Sequence, residues 1–107
     1  MILGKFTKQP ADKKFYDIDY RPWLNEITDT LFSVAVTSIV CLDTPSDTSL
    51  TCEGIAIFAY GGVPLTGLRV GRMIDGTPGQ QYKLTGAVTT VGTQVDEFEL
   101  IFKIKDY

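Results

Sequence analysis

The sequence predicts an all-β fold: an antiparallel β-sandwich of about six or seven strands with an extended N-terminal arm. Three observations carry that reading. Apolar and polar residues alternate with a period of two along most of the chain, the pattern of strands with one face buried. The alternating stretches are filled by thirteen Thr and many Val and Ile, residues suited to a pleated, half-buried surface. Clusters of Asp, Ser, Gly and Pro separate them at the spacing of short strands. With 107 residues, 44% hydrophobic and 21% charged, the chain has material for one hydrophobic core and an ordinary globular composition. The expected organisation is an arm over residues 1–14 and a single sandwich domain over residues 15–107.

The segment Met1 to Lys14 is polar and broken by Pro10, so it reads as an extended arm or loop. Phe15 to Tyr20 places Tyr16, Ile18 and Tyr20 on one face and Phe15, Asp17 and Asp19 on the other, a first strand that Pro22 ends. Trp23 and Leu24 then supply an apolar plug, and Asn25 to Asp29 reads as a turn. Thr30 to Val40 is the second strand, with Phe32, Val34, Val36 and Val40 expected inward. Asp43 to Ser49 is turn chemistry throughout.

Leu50 to Ala59 follows as a less one-sided strand, with Ile55, Ile57 and Ala59 alternating against Gly54, Ala56 and Phe58. Gly61-Gly62 with Pro64 marks a turn. Gly67 to Ile74 is a shorter strand with Leu68, Val70 and Ile74 inward and Arg69 and Met73 outward. Arg72 falls on its inward register, which predicts a bulge or an edge there. Asp75 to Gly79 joins Asp-Gly to Pro-Gly and is the strongest turn signal in the chain. Gln81 to Val91 carries Tyr82, Leu84 and Val88 on one face, and Gly92-Thr93 reads as a hairpin turn. The last strand, Gln94 to Lys105, is the cleanest, with Phe98, Leu100, Phe102 and Ile104 inward.

One detail predicts an immunoglobulin-like sandwich. Tyr82 opens the penultimate strand directly after the Pro-Gly corner, where a tyrosine corner would fill the core edge with its ring and bond upstream backbone with its hydroxyl. Cys41 and Cys52 do not sit where such a domain places its inter-sheet disulfide. Eleven positions apart, they could meet across a hairpin, and two reduced, buried thiols are the expected state.

Chemistry is constrained by what is missing. The chain contains no His, so the commonest general acid, base and metal ligand near neutral pH is absent, and two Cys do not make a zinc site. No Ser-Lys pair, nucleophile elbow or phosphate loop stands out. Asp17 and Asp19 share a strand face and could hold a hard cation, but two solvated carboxylates are the plainer account. Asp96, Glu97 and Glu99 read as a solvated face weakly paired with Lys103 and Lys105. No enzymatic site and no cofactor is expected.

The net charge of -3 argues against nucleic acid as a partner. The apolar runs are too short to span a bilayer and the leader lacks a signal-peptide core, so a soluble intracellular product is expected. Charge is unevenly placed. Residues 1–21 carry five basic groups against three acidic ones, whereas residues 22–66 carry five acidic and no basic groups. Such a distribution is either plain solvated surface or a means for leader and body to dock, within one chain or between copies. The candidate interaction residues are Lys5, Phe6, Lys8, Lys13, Lys14 and Trp23, with Trp23 divided between packing and interface.

The opening Ile2-Leu3-Gly4-Lys5-Phe6-Thr7-Lys8-Gln9-Pro10-Ala11, then Tyr16-Asp17-Ile18-Asp19-Tyr20 and Trp23-Leu24, resembles a family of small tailed-bacteriophage structural proteins described as fiber-tail adaptor or tail-associated proteins. The resemblance continues through the Gly-Gly turn, Gly79 to Tyr82, the Thr-rich Thr85 to Thr90 and the acidic Asp96-Glu97. The chain departs from the family's pattern in its long Asp43 to Ser49 loop and at Gly92-Thr93. The resemblance implies a non-enzymatic virion component of the tail or neck, assembling with itself as an oligomer or ring and with neighbouring tail, neck or fiber proteins. A capsid decoration or receptor- or carbohydrate-binding module is the alternative.

Overall fold

A computed structural model describes residues 2–105, with side chains from Gly4 onward; Met1, at the start of the expected arm, and Asp106 and Tyr107, at the end of the expected sandwich domain, lie outside the described residues. Two four-stranded sheets pack face to face, with one short helix at the end of the sandwich. The strands are β1 (Ile2–Lys8), β2 (Lys14–Asp19), β3 (Leu31–Cys41), β4 (Thr51–Cys52), β5 (Ile55–Tyr60), β6 (Val63–Ile74), β7 (Gln81–Thr90) and β8 (Val95–Ile104); the helix, α1, is Arg21–Ile27. One sheet has the order β1-β8-β7-β3. In the other, β6 is central, β2 lies along one side, and β5 and then β4 lie along the other.

The alternation in β7 and β8 sets the core. Tyr82, Leu84, Val88, Phe98, Leu100, Phe102 and Ile104 are all fully buried, as their spacing of two requires. Burying each of these side chains contributes about 1.5–3 kcal/mol relative to exposure. From the facing sheet come Ile18, Leu68, Val70 and Met73, and α1 adds Leu24. The free thiol of Cys41 is buried among them, and that of Cys52 is also unbonded and half-buried.

Three expectations are corrected, two of them by strand geometry. Phe32 and Val40 do not face the core; they are 71% and 40% exposed. The pairing of β3 with β7 slips between Leu31 and Ser33 and again between Val36 and Ser38, so Phe32 and Thr37 are extra residues. Each bulge resets the face, and the inward set becomes Leu31, Val34, Val36, Ile39 and Cys41. Similarly, Met73 is fully buried rather than outward, because β6 carries an extra residue between Val70 and Met73 opposite β2. Arg72 is thereby turned out to the surface, where it forks onto Glu53 at 2.9 Å through two hydrogen bonds.

The third correction concerns Arg21 to Ile27, read as a stop and a turn but folded as a helix. Pro22 stands in its first turn, where a missing N–H costs nothing. Tyr20, Leu24 and Ile27 recur at i, i+4 and i+7 and point into the sandwich, with Tyr20 and Leu24 buried and Ile27 packed against them. Thr28 ends the helix in the left-handed region at φ 51°.

The polar leader is also more ordered than a loop. β1 runs parallel to β8, from Ile2 beside Glu99 to Lys8 beside Ile104, so the sheet is not wholly antiparallel. The expected strand over Leu50 to Ala59 is broken into β4 and β5 at Glu53-Gly54, where β6 bulges. These two changes bring the strand count to eight among the described residues.

Candidate interaction surface

The sandwich has two unlike sides. On one side β1 and β2 meet, closed by an aromatic seam in which the Phe6 ring lies 4.9 Å from Tyr16 and 5.4 Å from Phe102. Here the segment with basic excess is spread over the surface: Lys5, Lys13 and Lys14 are exposed, and Lys14 is only loosely paired with Asp12 at 3.5 Å. On the other side β3 lies against β5. Neither strand carries a charged residue.

The six residues singled out as contacts do not share one environment. Lys5, Lys13 and Lys14 are exposed; Lys14 is weakly paired with Asp12, and Lys13 lies close enough to Glu53 to help lower its pKa. Lys8 is buried, and its Nζ donates to the backbone oxygens of Gln9, Pro10 and Asp75 at 2.9, 3.1 and 2.7 Å. Burial holds its pKa below the ordinary 10.5, opposed by the nearby carboxylates of Asp12 and Asp75. Phe6 is half-buried in the aromatic seam. Trp23 is half-buried at the far end of the molecule, edge-on to Tyr20 at 5.9 Å.

The Tyr82 ring is buried, and its hydroxyl accepts from the Thr77 N–H at 2.8 Å, five residues upstream, and donates to Asp47 Oδ2 at 2.7 Å. Asp47 also accepts from the N–H and hydroxyl of Ser49. Hydrogen bonds from Ser49, Thr77 and Tyr82 hold its carboxyl well below the usual carboxylate range. This network ties the long Asp43 to Ser49 loop to the Asp75 to Gly79 corner.

A feature that strand alternation alone did not signal lies on the outer face of the β2–β6–β5 sheet. Arg69 on β6 forks onto Asp17 with two 2.9 Å bonds, and its guanidinium covers the rings of Phe58 at 4.5 Å and Phe15 at 5.8 Å. Arg21 repeats the arrangement one step along, with two 2.9 Å bonds to Asp19 and its guanidinium 4.9 Å from the Tyr60 ring. Asp17 and Asp19 are therefore committed to arginines. The register of β2 on β6, with Asp17 opposite Arg69, was the missing information.

Other carboxylates are equally engaged. Asp96 accepts the Tyr20 hydroxyl at 2.9 Å, and Glu99 pairs with Lys83 on β7 at 3.0 Å, rather than with the lysines further along its own strand. Burial, then the bond to Asp96, raises the Tyr20 pKa far above its ordinary value. Among the described residues no group of three His, Cys, Asp or Glu could hold a metal ion, and no helix is long and apolar enough to cross a membrane. A shallow cleft of about 430 Å³ lies between α1 and the two hairpin ends, lined by Leu24, Thr28, Asp29, Val63, Thr66 and Val91.

Comparison with protein families supplies the context: the model of the podophage GP4 fiber-tail adaptor protein gp77 matches residues 8–103. This chain belongs to the podophage GP4 fiber-tail adaptor family. The matched span takes in both sheets from the end of β1 to the penultimate residue of β8, and leaves most of β1 outside. Membership in the fiber-tail adaptor family makes the protein a structural adaptor of the phage tail, associated with other tail and fiber proteins. No curated protein matches the chain.

Proposed function

We propose that this fiber-tail adaptor is a non-enzymatic virion component present in several copies in the tail or neck, where it attaches fibers or another appendage. The family match over residues 8–103 carries the reading. The surface supports it. Many of its ionisable groups are held in pairs and loop tethers, an arrangement that stiffens a scaffold and leaves few groups poised for proton transfer. Exposed Lys5, Lys13 and Lys14 supply basic groups for acidic neighbours, with itself and other tail proteins as partners and no role for nucleic acid or membrane.

A carbohydrate-binding role has less support. Two of the aromatic faces such a site could use, those of Phe58 and Tyr60, are already covered by Arg69 and Arg21, which leaves Phe32 as the most exposed ring among the described residues. The test is localisation and counting in purified particles. Electron microscopy with a tagged chain is expected to place it in the tail or neck, and quantitative mass spectrometry to give more than one copy per virion. Density over capsid faces, density confined to a fiber tip, or a single copy would overturn the reading.

A further inference from the structure

The five outer strands of the sandwich, β1 and β3 in one sheet and β2, β4 and β5 in the other, are not equally protected against pairing with another chain. A sheet edge exposes backbone donors and acceptors, and proteins usually guard it with charge, Pro or brevity. β1 has Lys5, and β2 has Lys14, Asp17 and Asp19. β4 is two residues long and is followed by Glu53. β5 is uncharged but only six residues long, with Gly54 before it and Gly61-Gly62 after it. β3 has none of these guards. It is eleven residues, without charge or Pro, and among the described residues it has a strand partner, β7, on one side only. Phe32, Val40 and Leu42 stand exposed along it, three of the eight large exposed hydrophobic side chains among the described residues.

What covers that edge is indicated by charge. β3 is preceded by Glu26 and Asp29 and followed by Asp43 and Asp47, with no cation anywhere in residues 22–66. Pairing β3 with β3 of a second copy in antiparallel fashion would set the acids at one end against those at the other. The opposite edge of the same sheet is β1, in the segment with a basic excess; exposed Lys5 lies on the strand, and Lys13 and Lys14 follow at the start of β2, the strand that meets β1 on this side.

We infer that the β3 edge of one copy receives the β1 edge of the next, continuing the β1-β8-β7-β3 sheet from subunit to subunit. The contact is heterologous, using two different edges, so it propagates around a closed ring when the rotation between copies permits. The inference rests on the multi-copy reading above and names its surface. The arm stays in its own sheet and serves the neighbour through its outer edge.

The test uses the full chain and two pairs of substitutions at exposed positions. Ser33→Lys with Ala35→Lys charges the β3 edge; Lys5→Glu with Thr7→Glu reverses the β1 edge. Sedimentation over a concentration series is expected to show the unaltered protein assembling and each variant self-associating about tenfold or more weakly. Mixing the two variants is expected to restore pairs, because each keeps one intact edge. Unaltered protein that stays monomeric, either variant assembling like the parent, or a mixture that remains monomeric would each overturn the inference.

Hydrogen exchange on the unaltered chain gives a readout independent of variant folding. Residues 2–8 and 31–41 are expected to gain protection together as concentration rises. Protection rising elsewhere alone overturns the edge contact. Copy counting in particles answers the multi-copy question separately, so several copies per virion with free edges in solution would defeat this inference and leave the adaptor reading standing.

Discussion

Lys8 places its ammonium nitrogen 2.7 Å from the backbone oxygen of Asp75, sixty-seven positions away. The same nitrogen also donates to the oxygens of Gln9 and Pro10. A strand that a sequence reader takes for a loose leader is thus clamped to the Asp-Gly corner by a buried cation, whose partners are three carbonyl dipoles. Lys8→Met keeps most of the stem and leaves those carbonyls without their donor, at an expected cost of about 1–3 kcal/mol. Lys8→Ala also empties the space the stem fills and is expected to cost about 2–4 kcal/mol. Urea unfolding followed by Trp23 fluorescence checks both, and a Met variant as stable as the parent would show that the clamp is not stabilising.

The Tyr82 hydroxyl joins two loops. Tyr82→Phe removes the acceptor of the Thr77 N–H and the donor to Asp47, with the ring retained in the core. The expected loss is about 1–3 kcal/mol. Faster hydrogen exchange at residues 43–49 and 75–79, with β7 and β8 unaffected, is the accompanying signature. Uniform loss of protection would instead mean that the hydroxyl supports the whole domain.

Stability has opposite pH dependences at the two extremes. Asp47, Asp29, Asp19 and Glu53 all have carboxyl pKa values lowered in the folded state, by hydrogen bonds from Ser49, from Thr90, from Arg21 and from Arg72 respectively. Unfolded, the Asp residues bind protons near 3.8 and the Glu near 4.5, so the unfolded chain takes up more protons there and stability falls as pH drops through and below that range. Tyr20 is the reverse case. Its folded pKa lies above the ordinary 10.0, so the unfolded chain loses the proton first and stability falls as pH rises past 10.0. Thermal melts across pH should therefore drop at both ends, and Tyr20→Phe should lessen the alkaline drop.

Gly86 sits where β7 is crowded from two directions. A Cβ there would come within 2.6 Å of Phe98 Cζ and 2.8 Å of the Ala35 backbone oxygen. The ring could shift, but the β3 backbone has less freedom. Gly86→Ala is expected to destabilise by about 1–3 kcal/mol through overpacking. A wild-type midpoint in denaturant would mean that the sheet opens at no cost.

The arginine forks on the outer face predict a small effect. Arg69 and Asp17 are both substantially exposed, with side-chain exposures of 45% and 35%, so water screens the pair. Arg69→Lys is expected to change stability by less than about 1 kcal/mol, although a lysine cannot keep the two-pronged bond or the flat contact with Phe58. Equilibrium unfolding of the single variant measures it; a loss of several kcal/mol would make the fork a structural element of the sheet.

Much of this protein was legible along the chain. Period-two alternation in Tyr82 to Val88 and Phe98 to Ile104 identified the buried faces of β7 and β8, because strand geometry sends successive side chains to opposite sides whatever the strand's neighbours. The turn at Asp75 to Gly79 followed from local φ preferences, and the unequal charge of residues 1–21 and 22–66 is a property of composition alone. What tertiary structure decided was pairing. The bulge at Gly71-Arg72 was signalled by a charge on the inward register, but those at Phe32 and Thr37 are insertions relative to a partner strand, and without the partner's register an extra residue looks like an ordinary step. The parallel contact of β1 with β8, the capture of Lys8 by Asp75, and the separation of a basic edge from an uncharged one all join residues far apart in the chain. Only folding brings them together, since each depends on where the sheets end rather than on what any segment prefers.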